Sequence, residues 1–252
     1  MLKSKNMFAL GIVMYLFNRD ITQLNHYFET KFKNKPDVIK ANQTVVAAGY
    51  SYADTLEIFA NTYRIQPAEL PKGKYRDISG NVATAWGLMA ASERSGRQLF
   101  IGSYPITPAT DILVELTKYK NLKVKAYQAE DEIAGITSSI GASFAGCLSV
   151  TTTSGPGLSL KSEALGLAVM TELPLVIIDV QRGGPSTGLP TKTEQSDLMQ
   201  ALYGRNGDAP LIVLAAKSSV DCFYSAYEAC KLALEHMTPV ILLTDGALGN
   251  GT

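Results

Sequence analysis

The sequence has few of the residues on which many enzyme mechanisms depend. It contains two histidines, His26 and His236, so histidine catalysis and histidine metal sites have little to draw on. Its three cysteines, Cys147, Cys222 and Cys230, are scattered without a CxxC spacing. That pattern argues against a disulfide framework or a metal site. It predicts free, buried thiols in a reducing compartment, and we expect a cytoplasmic protein.

The chain also carries no excess of positive or negative charge. The 23 basic and 23 acidic residues cancel, which argues against an electrostatic footprint for nucleic acid. The apolar run 7–17 follows two lysines, but it is too short to cross a bilayer, and no small-residue cleavage site follows it. We therefore expect no nucleic-acid partner and no membrane span, and we interpret the run as a core helix.

What the chain does have is apolar residues, 46% of its 252, enough to bury a large core. Residues 1–62 form a small helical segment in this interpretation. Helical patterns lie at 7–17, 21–33 and 42–59, and Gly49 is expected to loosen the middle of the last. Residues 63–76 hold two prolines and a glycine among polar residues, which predicts a linker. The third predicted segment is an α/β domain over 77–252.

In that domain, strands alternate with helices. A serine cap predicts a helix over 80–94. The predicted strands span 98–104, 123–128, 148–153, 175–180, 211–215 and 240–244. The predicted helices between them span 109–118, 130–145, 158–172, 195–203 and 220–236. Because we interpret the strands as short and wholly apolar, we expect a doubly wound, mostly parallel sheet with helices on both faces.

Polar turns follow several of these strands, and in a parallel sheet such turns gather where ligands bind. In YPITP (104–108) two prolines stiffen a strand end and orient the Thr107 hydroxyl. The alternative interpretation of this sequence is an ordinary turn between a strand and a helix. The acidic run 130–132 opens a helix. Its members either complement the helix dipole or, in the case of Glu132, point into a cleft.

Two glycine-containing turns leave alternatives open. SGPG (154–157) is similar to a phosphate loop but fails GxGxxG, because Leu160 occupies the last glycine position. Gly184–Gly188 matches GxSxG around Ser186, yet no helix follows the serine directly, so the match is attributed to chance. Arg182 ends a strand before two glycines. In one interpretation Arg182 binds a carboxylate together with the free backbone N–H groups of the two glycines. In the other it lies at the rim of the domain and pairs with Asp179 or another acid.

Taken in order, the motifs YPITP (104–108), QAEDEIAG (128–135), TTTSGPG (151–157) and VQRGGPSTGLPT (180–191) resemble one family. It is the α subunit of the 2-oxoacid:ferredoxin oxidoreductases, especially their 2-oxoglutarate-type branch. The likeness runs from residue 78 to about 246. It implies the pyrimidine-binding domain of a thiamine diphosphate enzyme. The implied reaction is oxidative decarboxylation of a 2-oxoacid to an acyl-CoA, with electrons passing to ferredoxin. Segment 1–62 resembles the end of a γ domain that some members carry fused ahead of α.

The resemblance implies roles at matching positions. Glu132 matches the glutamate that hydrogen-bonds N1′ of the cofactor's aminopyrimidine, which assists proton transfer there. The residues matching those that hold the substrate's carboxylate and keto group are Thr107, Arg182 and Thr191. The other expected cofactor contacts, from the same motifs, are Tyr104, Ile106, Ser154 and Gly155. No role is carried to 206–208 (NGD), where family members often have His-Gly-Asp/Glu.

The resemblance also implies a partner. The chain has no GDG…N motif for the Mg²⁺–diphosphate end of the cofactor, and no set of four thiolates for an Fe₄S₄ cluster. Both are expected in a β subunit, in an αβ or (αβ)₂ assembly that uses a 2-oxoacid, CoA and ferredoxin. Two other functions stay open: an anion- or nucleotide-binding module without catalysis, and a serine hydrolase using Ser186 with His236 as base.

Overall fold

The structure is a computed structural model that describes residues 4–57 and 59–251. The chain divides into two compact units, Met1–Lys74 and Tyr75–Thr252. In the part of the chain described, no helix is both long and apolar enough to cross a membrane. The predicted segments 1–62 and 77–252 each include terminal residues that lie outside the described ones.

The first unit contains three helices: α1 (Lys5–Leu16), α2 (Thr22–Lys31) and α3 (Pro36–Thr55). The helices predicted at 7–17 and 21–33 are confirmed, but α1 is not the core helix that was expected, because Gly11 is its one buried residue. The third begins at Pro36, not at residue 42, because proline suits the first turn of a helix. Its predicted end ran over residue 58, which lies outside the described residues. Residues 59–79 form neither helix nor strand.

Gly49 was predicted to loosen α3, and that prediction is wrong. A Cβ atom placed on Gly49 would lie 2.0 Å from the carbonyl oxygen of Phe8, and one on Gly11 would lie 2.1 Å from that of Val46. The two glycines therefore let the backbones of α1 and α3 come into direct contact. Gly49 supports helix packing in this unit.

The second unit alternates strands and helices, as predicted. Its strands are β1 (Leu99–Ser103), β2 (Val124–Gln128), β3 (Leu148–Thr153), β4 (Leu175–Gln181), β5 (Ile212–Ala215) and β6 (Pro239–Asp245). Its helices are α4 (Gly80–Ser95), α5 (Thr110–Thr117), α6 (Glu132–Phe144), α7 (Gly155–Leu160), α8 (Ser162–Met170), α9 (Leu198–Tyr203), α10 (Ser219–His236) and α11 (Gly246–Asn250).

Three details differ from the predicted helices. The helix expected over 158–172 is two, α7 and α8, which meet at Lys161. The helix expected from residue 130 begins at Glu132, because the Asp131 side chain accepts a hydrogen bond from the Ala134 N–H and so caps it. The last helix, α11, was not predicted; Asp245 caps it in the same way.

The six strands form one parallel sheet in the order β2-β1-β3-β4-β6-β5, which confirms the predicted fold class. Alternate residues of the central strands face opposite layers. In β4, Val176 and Ile178 pack against α4, α5 and α10, whereas Leu175 and Ile177 pack against α6, α7 and α8. The core is therefore two apolar layers separated by the sheet.

One strand contradicts the expectation of burial on both faces. β2 lies at the edge of the sheet, and Lys125–Gln128 are exposed. Its sequence, VKAYQ, is not the continuous apolar run of a central parallel strand. The exposure of β2 leaves one edge of the sheet uncovered by the described residues of this unit.

Candidate active site

The sheet changes winding direction between β1 and β3. From β1 the chain passes through α5 to β2 at one edge, whereas from β3 it passes through α7 and α8 to β4 on the other side. The two connections diverge at the carboxyl ends of adjacent strands, which leaves a crevice where open α/β sheets bind ligands. The turns 104–109 and 154–157 form the walls of this crevice.

A third element next to the crevice is the start of α6, which carries Glu132. As the first residue of α6 it follows β2, and its side chain packs against the turn after β3. A Cβ atom on Gly157 would lie 2.9 Å from Cγ of Glu132 and 1.9 Å from Oγ1 of Thr153. Only a glycine therefore leaves room for the Glu132 side chain at this point.

The Glu132 side chain is half-buried, and its carboxylate forms no hydrogen bond or ion pair with any other described residue. The neighbouring acids have different surroundings. Asp131 is the helix cap, with Oδ1 at 2.7 Å from the Ala134 nitrogen, and Glu130 is exposed ahead of the helix. Of the three acids, Glu132 is the one whose side chain packs against the turn after β3.

A buried lysine stands behind Glu132, and no motif of the sequence indicated it. Lys161 has no exposed surface, and its Nζ donates a hydrogen bond to the carbonyl oxygen of Glu132 at 2.7 Å. Burial lowers the pKa of Lys161 to about 8, although the negative charges of Glu132 and Asp131 oppose that shift. The one basic residue in the segment 158–172 was the available signal.

Ser154 and Gly155 form the floor of the crevice where α7 begins. Ser154 is fully buried, and its hydroxyl has no hydrogen-bond partner among the described residues. Gly155 lines a cavity of about 680 Å³, together with Pro156, Arg182 and Asp197. Gly155 is therefore open to the cavity, whereas the unpaired Ser154 hydroxyl is enclosed within the protein.

Arg182 lies between the larger cavity and a smaller one. The smaller cavity, of about 110 Å³, is lined by Arg182 together with Thr107 and Thr191. Nη1 donates to the Thr107 carbonyl oxygen at 2.6 Å and Nη2 to the Thr187 carbonyl oxygen at 2.7 Å. Nε is buried without a partner among the described residues. The structure therefore brings together the three residues expected to bind substrate.

Two expectations about the turn after Arg182 are wrong. The N–H groups of Gly183 and Gly184 are not bare, because they donate to the Lys192 carbonyl oxygen and to Oε2 of Glu194. Asp179 does not pair with Arg182 either. Its carboxyl group faces that of Asp197.

Asp179 and Asp197 form a buried carboxyl pair at the wall of the larger cavity. Burial, followed by the charge and hydrogen bond of Asp197, raises the pKa of Asp179 well above its usual value. Burial also raises the pKa of Asp197, helped by Glu194 and opposed by the hydrogen bond to Asp179. Since two carboxyl groups this close cannot both ionise cheaply, we expect them to share a proton. The sequence did contain one indication of this pair, because Asp179 is the one charged residue in the predicted strand 175–180.

Of the five expected cofactor contacts, Gly155 lines the larger cavity, whereas Glu132, Tyr104, Ile106 and Ser154 line neither of the two. The Tyr104 side chain is 39% exposed, and Ile106 packs partly against the core layer under α5. Neither lines a described cavity. Their backbone still forms the wall of the crevice, since Tyr104 follows β1 directly.

The geometry argues against the hydrolase alternative. Ser186 follows the carboxyl end of β4, whereas His236 precedes the amino end of β6. These strands pair in parallel from Leu175–Pro239 to Gln181–Asp245, so the two side chains lie at opposite ends of the sheet. Six residue steps along a strand span roughly 20 Å. His236 cannot act as a base for Ser186 at that separation.

The described residues contain no cluster of three or more His, Cys, Asp or Glu side chains suited to a metal ion. Cys222 and Cys230 are buried free thiols, as predicted, and Cys147 is half-buried and also free.

The fold and the crevice define a class: a doubly wound parallel α/β domain that presents a glutamate, an arginine and glycine turns at a topological switch point. Comparison of the sequence with known families places it more narrowly. Residues 94–252 match the family described as pyruvate flavodoxin/ferredoxin oxidoreductase, thiamine diphosphate-binding, and the chain belongs to that family.

Individual relatives agree with the branch expected from the motifs. The chain is 57% identical over 250 residues to the 2-oxoglutarate oxidoreductase subunit KorA of Mycobacterium tuberculosis, covering 99% of this chain and 38% of that protein. It is 47% identical over 177 residues to the 2-oxoglutarate synthase subunit KorA of Archaeoglobus fulgidus, covering 69% of this chain and 49% of that protein. The chain therefore spans less than half the length of either relative.

A solved structure shows the same fold. The 2-oxoglutarate:ferredoxin oxidoreductase from Magnetococcus marinus, with 2-oxoglutarate, coenzyme A and succinyl-CoA bound, superposes with a TM-score of 0.79 at 42% identity. The match covers 98% of this chain and 42% of that one.

Proposed function

We propose that the chain is the pyrimidine-binding part of the α subunit of a 2-oxoacid:ferredoxin oxidoreductase. The reaction is oxidative decarboxylation of a 2-oxoacid to an acyl-CoA, with electrons delivered to ferredoxin. The observation that carries the proposal is the position of Glu132, whose side chain packs against the turn after β3 and whose carboxylate has no partner among the described residues. The relatives' names, and the 2-oxoglutarate bound in the Magnetococcus marinus enzyme, favour 2-oxoglutarate as the substrate.

The residues at the crevice fit the aminopyrimidine of thiamine diphosphate. That ring needs a carboxylate for one nitrogen and polar contacts for its amino group. Glu132 offers the first, and Ser154, whose hydroxyl has no partner among the described residues, is assigned to the second. When bound, thiamine diphosphate supplies the electron sink for decarboxylation. Glu132 then holds a proton at the ring nitrogen, and the turn 154–157 orients the ring.

Arg182 is assigned to the substrate's carboxylate. Its guanidinium is positioned by Thr107 and Thr187, and its Nε donor is still unused. A buried donor without a partner costs free energy, and a carboxylate oxygen would relieve that cost. Thr107 and Thr191, on the same small cavity, are assigned to the remaining polar atoms of the 2-oxoacid.

The remaining parts follow from the family resemblance. Mg²⁺, the diphosphate site and the Fe₄S₄ cluster are assigned to a β subunit, in an αβ or (αβ)₂ assembly. Tyr104, Ile106 and Gly155 are kept as cofactor contacts. Residues 1–62 are assigned to the end of a fused γ domain, 63–76 to a linker, and the complex to the cytoplasm.

The proposal is tested with the native polypeptide that carries this sequence, purified with and without its β subunit. Viologen reduction is measured with CoA and either 2-oxoglutarate or pyruvate. We expect turnover only when both subunits are present, and with 2-oxoglutarate. A complex that binds thiamine diphosphate but turns over no 2-oxoacid would contradict the proposal, as would turnover without the β subunit.

A further inference from the structure

The buried Lys161 is the feature that the proposed function does not explain. It occupies the junction of α7 and α8 and is among the largest side chains with no exposed surface. No carboxylate among the described residues lies within ion-pair distance of its ammonium group. Its hydrogen bond runs to a main-chain atom, the carbonyl oxygen of Glu132.

Stability does not account for a lysine here. Removing an ammonium group from water is costly, and one neutral carbonyl acceptor recovers only part of that cost. The lowered pKa of Lys161 reports the same penalty. A methionine would fill a similar volume with the same unbranched shape and carry no charge. The fold would be at least as stable with it.

The contact does fix one thing, which is the position of Glu132. Asp131 caps the first turn of α6 from one side, and Lys161 binds the carbonyl group of the first helical residue from the other. Gly157 then confines the side chain at Cγ. These contacts restrain the main chain and the Cγ atom of Glu132.

We propose that Lys161 is a positioning residue for Glu132: its ammonium group holds the Glu132 main chain so that the carboxylate points into the crevice. The proposal rests on the proposed function for the role of Glu132, but the contact itself does not depend on it. A catalytic carboxylate must be held closely, since a displacement of about 1 Å can cost roughly 10²-fold in rate.

The test compares Lys161→Met with Lys217→Met, an exposed lysine beyond β5, in the complete enzyme. Lys161→Met should lower kcat roughly 10-fold or more and leave the KM for the 2-oxoacid within about twofold, since the substrate contacts are untouched. Its Tm should equal or exceed that of the wild type. Lys217→Met should match the wild type in every measurement. A fall in Tm together with a raised KM for the 2-oxoacid would indicate a structural role and overturn the proposal.

A double-mutant cycle tests whether Lys161 acts through Glu132. In a Glu132→Gln background, Lys161→Met should cost about twofold or less, because the group that it positions has already lost its function. A full multiplicative loss in that background would show that Lys161 acts elsewhere, and it would overturn the proposal.

A readout without turnover separates this inference from the proposed function. Hydrogen exchange in a peptide covering the start of α6 should be several-fold faster in Lys161→Met than in wild type, with α10 unchanged, and thiamine diphosphate should bind more weakly. Faster exchange together with an enzyme inactive on all 2-oxoacids would support the positioning of Glu132 and contradict the proposed function. Unchanged exchange in an active enzyme would overturn the positioning role alone.

Discussion

Arg182 and Thr107 are joined by a hydrogen bond of 2.6 Å from Nη1 to the main-chain carbonyl oxygen. This bond links the end of β4 to the turn after β1, across the intervening strand β3. The same guanidinium binds the Thr187 carbonyl oxygen. Arg182 therefore positions two loops at once, and its remaining Nε donor is presented at the place where they meet.

We expect Arg182→Lys to raise the KM for the 2-oxoacid despite keeping the charge. A lysine ammonium group cannot bind both carbonyl groups and also present a donor at the position of Nε. Loss of a charge-assisted hydrogen bond costs about 1.5–3 kcal/mol, or roughly 10- to 150-fold in kcat/KM. Arg182→Met should lose more. The measurement is steady-state kinetics of the complete enzyme, with thiamine diphosphate affinity determined in parallel.

Arg205 supplies the matched control for this prediction. It too donates to main-chain carbonyl groups, those of Ala201, Leu202 and Ala209, but beyond α9 and before β5, at the opposite end of the sheet. Arg205→Lys should lower stability without changing the KM. If both Arg182 variants lost cofactor affinity while the KM stayed normal, Arg182 would belong to the cofactor site.

Glu132→Gln should leave the fold intact and reduce turnover roughly 10²-fold or more, the scale of a lost acid–base function. The amide occupies the same volume beside Gly157 but cannot hold a proton in exchange with the ring. Glu130→Gln is the control, because Glu130 is exposed and lies ahead of the helix. Equal activities for the two variants, measured by viologen reduction, would refute the role assigned to Glu132.

Much of the fold could be predicted because its determinants are local. Apolar runs bounded by polar turns located the strands other than β2, and Ser79 marked the start of α4 through its side-chain cap. The start of α11 was equally readable, since Asp245 caps Ala247 and Leu248 just as Asp131 caps α6. What the sequence did not contain was strand order, so the exposed edge position of β2 could not be foreseen.

The site was predictable in composition but not in its contacts. The motifs placed Glu132, Thr107 and Arg182 at strand ends, where a parallel sheet brings them together. The partners of Gly183, Gly184 and Asp179 depend on how the loop 183–197 folds back on itself, which no local pattern specifies. Lys161 was missed for the same reason: its acceptor lies 29 residues away in sequence.

Glu115 anchors α5 to α4, away from the crevice. Its buried carboxylate accepts hydrogen bonds from Trp86 Nε1 at 3.0 Å and the Tyr119 hydroxyl at 3.1 Å, and it forms an ion pair with Lys118. Burial alone would raise its pKa, but these donors together lower it. The stabilisation is therefore present above the carboxyl's ordinary pKa and is lost as pH falls through the folded value.

We expect Glu115→Gln to lower the free energy of unfolding at pH 7 by about 1.5–3 kcal/mol, the value of hydrogen bonds to a charged group. The loss should shrink toward about pH 3, where the wild-type carboxyl is also becoming neutral. Denaturant unfolding at the two pH values measures it. Glu93→Gln, an exposed glutamate on α4, serves as the control and should change little. A loss of the same size at both pH values would show that the charge of Glu115 contributes nothing.

The contribution of the Asp179–Asp197 pair to stability should change with pH in the opposite direction to that of Glu115. Both pKa values are raised in the folded protein, with burial as the largest cause and Glu194 adding to the effect on Asp197. A carboxyl group with a raised pKa contributes stability below its ordinary pKa and loses that contribution as pH rises through the folded value. Stability of the wild type should therefore decline from about pH 4 upward, by about 1.4 kcal/mol per pH unit for each proton that only the folded state retains.

Asp179→Asn should remove most of that decline. The asparagine amide can donate to the ionised Asp197 carboxylate, so no shared proton is required. At about pH 8 the variant should melt above the wild type, by roughly 2–4 °C for each kcal/mol relieved, whereas at about pH 4 the two should melt alike. Thermal unfolding across this range measures the difference. A Tm difference that is the same at both ends of this pH range would mean that the two carboxyl groups do not share a proton.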